Sequence, residues 1–114
     1  MKKINKLKYF VGVQNSISVA ESLISYFLRK NNIHFEREVS FKDFKTPNGG
    51  YYRYDFYLPK KNLLIEYDGK GFHDNNPNDW AKTSFAKKNK IKLIRFNAKH
   101  YYNLEKELLK ICKS

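Results

Sequence analysis

Two acids, Asp55 and Glu66, stand with ten residues between them in a stretch rich in aromatic and branched side chains, YYRYDFYLPKKNLLIEYDGKGFH, residues 51–73. Strand alternation puts Tyr52, Tyr54, Phe56 and Leu58 on one side of a first strand, with Arg53, Asp55 and Tyr57 on the other. In a second strand Leu63, Ile65 and Tyr67 share one face, and Leu64, Glu66 and Asp68 share the opposite one. Between them, Pro59-Lys60-Lys61-Asn62 is turn chemistry. A hairpin symmetric about Lys60-Lys61 pairs residues whose numbers sum to 121. Asp55 then faces Glu66, and Arg53 faces Asp68.

Directly opposed side chains have Cβ atoms about 5 Å apart, and like charges there destabilise a sheet. At that separation and an effective dielectric of about 20, two carboxylates repel by on the order of 3 kcal/mol. A divalent cation held between them would turn this cost into a binding site, because hard cations such as Mg²⁺ take oxygen ligands. Two other arrangements would also remove it: a Lys or Arg neutralising the acids, or an odd-membered turn with a different register; Asp68 has Arg53 as a ready salt-bridge partner.

The elements that position these acids follow from the flanking sequence. Ser16 to Asn32 reads as a helix in which Ser18-Val19-Ala20-Glu21 forms a capping box. Val19, Leu23, Tyr26, Phe27 and Lys30 follow its spacing, and Asn31-Asn32 end it. Ile33 to Phe41 alternates as a strand, with Ile33, Phe35, Val39 and Phe41 inward, His34 outward and Arg37 the exception on the apolar face. Lys42 to Gly50 turns into the central hairpin, giving a three-stranded meander. Gly69 and Gly71 permit close backbone approach to a ligand. Asn78 or Asp79 caps a second helix, Trp80 to Lys88, on which Asp79, Lys82 and Ala86 share a face. Ile91 to Asn97 is a fourth strand, reached by a crossover that can set it parallel to an earlier one. Asn103 to Cys112 is a last helix with Leu104, Leu108, Ile111 and Cys112 as its apolar stripe. The expected fold is α/β: a mixed four-stranded sheet flanked by helices, with an extra helix at the C-terminus.

Composition bounds the partners. The 114 residues, 41% hydrophobic and 17% aromatic, suit one domain with a modest core. Lys and Arg outnumber acids 23 to 11, a net charge of +12 that points to a polyanion, nucleic acid before an acidic protein or an anionic membrane. Residues 1–14 form a basic arm in which Lys2, Lys3, Lys6 and Lys8 would contact a phosphate backbone. Arg53 and Lys70 extend that set beside the acids. Cys112 is the sole cysteine and no segment has signal-peptide or transmembrane character, so a cytoplasmic protein is expected.

A helix with Glu21, a strand with Asp55, a strand with Glu66, then helix and strand: the order resembles the PD-(D/E)XK nuclease superfamily, with its restriction-endonuclease-like αβββαβ core. The resemblance runs from about Ser16 to Asn97 and rests on Tyr54-Asp55-Phe56 and Ile65-Glu66-Tyr67-Asp68-Gly69, supported by Glu21 and by Ile91 to Phe96. It implies that Asp55 and Glu66, with Glu21 as a further or water-bridged ligand, hold Mg²⁺ (or Mn²⁺ in its place). That cation would activate water against a phosphodiester. The chain departs from the pattern where lysine is expected two residues after Glu66, because Asp68 stands there. Lys70, Lys82 from the second helix, or His73 could replace it. Lys82 with His73 assisting is the preferred reading, since the sequence is also similar to very-short-patch-repair and EDxHD homing endonucleases.

The leading expectation is therefore a Mg²⁺-dependent DNA endonuclease, nicking or selective for branched or mismatched DNA. It would act as a homodimer or with a targeting protein partner. The competing expectation keeps the fold without the chemistry: a nuclease-derived module that binds nucleic acid or inhibits a partner.

Overall fold

Apolar alternation in four segments and a short aromatic run near the N-terminus build the sheet of this computed structural model, which describes residues 7–12, 17–69 and 76–112. Strand β1 (Tyr9–Val11) is followed by helix α1 (Val19–Lys30), β2 (Glu36–Phe41), β3 (Tyr54–Leu58), β4 (Leu63–Asp68), α2 (Pro77–Lys88), β5 (Lys92–Asn97) and α3 (Leu104–Cys112). Turns of 3₁₀ helix cover Pro59–Lys61 and Ala98–Asn103. The strands lie in the order β1-β2-β3-β4-β5, antiparallel except for the parallel β4–β5 pair that α2 connects. The fold is thus α/β, with a mixed five-stranded sheet and three helices. No helix among the described residues is long and apolar enough to cross a membrane.

Five strands replace the expected four. The addition comes from the segment read as a basic arm: Tyr9–Val11 pairs with Val39–Phe41. Tyr9 packs edge-on against Phe41 and Tyr57, with ring centroids 6.2 and 5.1 Å away. An aromatic beside an open sheet edge buries area that a free arm would leave in water. Lys2, Lys3 and Lys6 lie outside the described residues. Lys8 is exposed, with its carbonyl accepting from Lys42 N–H at 2.9 Å.

The central hairpin has the predicted register, Phe56 opposite Ile65, Tyr57 opposite Leu64 and Leu58 opposite Leu63. Two buried clusters flank the sheet. On one face Ile24 and Leu28 of α1 and Leu104, Leu108 and Cys112 of α3 meet Phe56, Leu58, Leu63, Ile65 and Phe96. On the other, Ala86 and Phe85 of α2 meet Val39, Phe41, Tyr54 and Leu64.

Unbroken alternation fails at one place, and two adjacent strands fail together. Phe35 and Arg37 lie with Phe56 on the α1 face, whereas Val39 and Phe41 lie with Tyr54 on the α2 face. Glu38, between them, has a left-handed φ of 52°, which re-aims every side chain beyond it. Register pairs Arg37 with Phe56 and Val39 with Tyr54, so the change of face in β3 falls at Asp55, across from Glu38.

Helix boundaries moved slightly. The capping box at Ser18 and Glu21 is present. The buried stripe of α1 is Ala20, Ile24 and Leu28, while Val19 and Tyr26 are exposed. Asn76, not Asn78 or Asp79, caps α2, and Pro77 follows at the first helical position, where its missing N–H is not needed.

Candidate active site

The C-terminal ends of β4 and β5 and the first turns of α2 enclose an open cleft of about 700 Å³. Asp55, Glu66, Asp68 and Asp79 line it on the acidic side, and Lys82, Arg95 and Lys99 on the basic side. Asp55 and Glu66 therefore face a common space, as the hairpin register required.

Glu66 projects towards α2 because it shares strand parity with Leu64. Lys82 Nζ meets its Oε2 at 2.6 Å, and Arg95 Nε lies 3.5 Å from its Oε1. Both cations are pinned. The Tyr54 phenol donates to the Lys82 carbonyl at 2.8 Å, and the Lys82 ammonium sits 5.5 Å from the centre of the Tyr54 ring. Arg95 donates to Thr83 Oγ1 at 2.8 Å and to the Asp79 carbonyl at 3.1 Å, tying β5 to the first turns of α2. Burial pushes the Tyr54 phenol up from its ordinary range, with the Glu66 charge adding to it, so Tyr54 remains a neutral donor.

Asp55 is held differently. Its Oδ2 accepts the Tyr67 N–H at 3.0 Å, replacing a rung just past the last paired residues of the hairpin. Burial pushes its carboxyl up to about 7, and the nearby charges of Glu66 and Glu21 add to that. The Tyr67 N–H and the Lys82 charge pull the other way without restoring an ordinary carboxylate. The like-charge conflict expected from the sequence is thus met in two ways: Lys82 and Arg95 neutralise Glu66, while Asp55 holds a proton up to neutral pH.

Two other expectations are redrawn. Glu21 does not line the cleft; its Oε1 accepts from the Ser18 N–H at 3.4 Å and from Arg37 Nη2 at 3.3 Å. Its capping role and the partly buried Arg37 hold it back, although its charge still reaches Asp55. Arg53 does not face Asp68: its Nε pairs with Glu38 at 2.8 Å, because the face change at Glu38 and Asp55 redirects it. Among the described residues, no group of three or more His, Cys, Asp or Glu side chains is placed to hold a metal ion by itself. Lys70 and His73 lie outside the described residues.

Arg95, Glu38 and Arg37 were not singled out as site residues. Arg37 bridges Glu21 and Glu38, at 3.3 and 3.1 Å, and lies 4.8 Å over the Phe56 ring. Its place as the one charge in an apolar alternation was the available signal. Arg95 carried none, since a basic residue in a terminal strand reads as solvated. No family model, curated protein or solved structure matches the chain.

Proposed function

We propose that this chain is a Mg²⁺-dependent endodeoxyribonuclease of the PD-(D/E)XK type, with α1, β2, β3, β4, α2 and β5 as its restriction-endonuclease-like core. One observation carries the proposal: Lys82 reaches Glu66 from a neighbouring helix, at 2.6 Å, inside a cleft that Asp55 also lines. The family pattern asks for a lysine beside the second carboxylate, and Asp68 occupies its usual position. An ammonium delivered from α2 offers the same donor at the same acid.

The donor set suits Mg²⁺, which is commonly held by one or two carboxylates, with water and substrate phosphates completing its shell. Asp55 and Glu66 would hold it, and Glu21 would act through its charge on Asp55. Burial, ahead of the charges of Glu66 and Glu21, raises the Asp55 pKa, and a cation beside it would favour the ionised form. When bound, the ion supplies charge neutralisation at the phosphate and lowers the pKa of water for in-line attack.

The chain's own residues do the rest. Arg95 and Lys99 offer charge-assisted hydrogen bonds to phosphate oxygens entering the cleft. Lys82 would stabilise the negative charge that develops during phosphodiester cleavage, and Tyr54 of β3 holds α2, and so Lys82, in place.

The test is incubation of supercoiled, nicked, mismatched and four-way-junction DNA, and of matched RNA duplexes, with Mg²⁺ or Mn²⁺. Cleavage of DNA by the wild type is expected, with losses of about 100-fold or more in Asp55→Ala and Lys82→Ala. Intact substrates throughout would contradict the proposal. A second reading draws on both oxygens of Glu66 being engaged by cations: a catalytically silent module that binds nucleic acid. DNA affinity would then survive both chelator and Asp55→Ala, with no cleavage in any condition.

A further inference from the structure

Among the described residues that line the cleft, acids and bases nearly balance. Six exposed lysines gather at the other end of the sheet: Lys60 and Lys61 in the turn after β3, Lys87 and Lys88 at the end of α2, then Lys90 and Lys92. Asn62 draws these segments together, its side-chain amide donating to the Lys90 carbonyl at 2.9 Å and its own carbonyl accepting from Lys92 N–H at 3.2 Å. No Asp or Glu occurs in 56–65 or 80–104. On the adjoining strand Glu36 is 3.5 Å from His34, and on α3 Glu107 is 3.5 Å from Lys110. The five steps of β4 from Leu63 to Asp68 put this pole roughly 17 Å from the cleft.

Local duties explain some of these lysines. Lys87 and Lys88 complement the C-terminal dipole of α2, and Lys61 Nζ donates to the Cys112 carbonyl at 2.8 Å. Among the described residues Lys60, Lys90 and Lys92 have no acidic partner. Lys90 also sits at a φ of 60°, just past the end of α2. The end of α1 is built the same way, with Ile33 N–H on the Leu28 carbonyl and Ile91 N–H on the Ala86 carbonyl, both at 2.9 Å. There the left-handed position is Asn32, a residue that tolerates it. A lysine at a left-handed φ, where glycine or asparagine is favoured, carries backbone strain.

We propose that this lysine pole is a second contact surface for the phosphate backbone of duplex nucleic acid, separate from the cleft. It rests on nucleic acid being the partner but not on hydrolysis. Charge complementarity selects the occupant, since six exposed ammonium groups on segments that carry no acid suit a line of phosphates.

The experiment is fluorescence anisotropy of a short labelled DNA duplex across a salt series in EDTA, where cleavage plays no part. The variant combines Lys60→Gln, Lys90→Gly and Lys92→Gln. Its log K against log[salt] slope should be shallower than that of the wild type by about 2.7, three contacts at about 0.9 each. Lys90→Gly alone should raise the melting temperature while weakening binding, which separates lost contacts from lost fold. An unchanged slope in the folded triple variant overturns the proposal. So does a wild type that binds phosphatidylserine vesicles and not the duplex. Failure of Mg²⁺-dependent cleavage would leave the slope difference standing, so the two proposals fail separately.

Discussion

At Asp55 the demands of stability and of chemistry oppose each other. Its folded-state carboxyl is pushed up to about 7 from an ordinary value of 3.8, chiefly by burial. Below about pH 4 folded and unfolded chains are both protonated there, so the site contributes no pH dependence. Between that point and about pH 7 the folded state keeps a proton that the unfolded chain has released, so this group lowers stability as pH rises. Asp55→Asn should therefore melt above the wild type at pH 8, with the gap closing at pH 4; an unchanged gap across that range would refute the assignment. Mg²⁺ should raise the wild-type melting temperature at pH 8 and leave Asp55→Asn nearly unmoved. Asp55 and Glu66 were legible because hairpin parity and a four-residue turn determine which acids meet. Lys82 was reached through the resemblance, helical spacing adding only that it shares a face with Asp79 and Ala86. Arg95 was not, because its three partners come from β4 and α2, and nothing local in β5 announces them.

Among the elements, the helix ends carry the clearest consequences. Ser18 Oγ accepts the Glu21 N–H at 3.1 Å, so Ser18→Ala should cost about 1 kcal/mol in urea unfolding, with the midpoint falling and the slope unchanged. At the far end of α2, Lys90→Gly should stabilise by about 1 kcal/mol, since glycine adopts the left-handed region freely. A loss in the second variant would mean that the lysine side chain packs usefully. The capping box of α1, the hairpin and the crossover through α2 could be read from local patterns. The face change at Glu38 and Asp55 could not, because a left-handed residue inside a strand leaves the polar and apolar sequence almost untouched. Arg37 was its trace: a charge in an apolar series, placed over Phe56 and against Glu21 once the strand turns.

For the whole molecule, the sheet separates two charge environments, a mixed cleft at the ends of β4 and β5 and an all-lysine pole at their starts. The fifth strand escaped prediction because three residues, Tyr9–Val11, are too few for a periodicity to declare itself. Binding to nucleic acid should weaken steeply with salt, and an affinity for duplex DNA that ignores ionic strength would remove the basis for a polyanion partner. The claim on which the functional account depends is that Asp55 and Glu66 jointly hold a divalent cation. Anomalous scattering from crystals soaked in Mn²⁺ measures this directly. A peak between the carboxyl groups of Asp55 and Glu66 is expected in the wild type and its absence in Asp55→Asn. A Mn²⁺ peak only elsewhere, with Lys82 still closed on Glu66 at saturating metal, would contradict it.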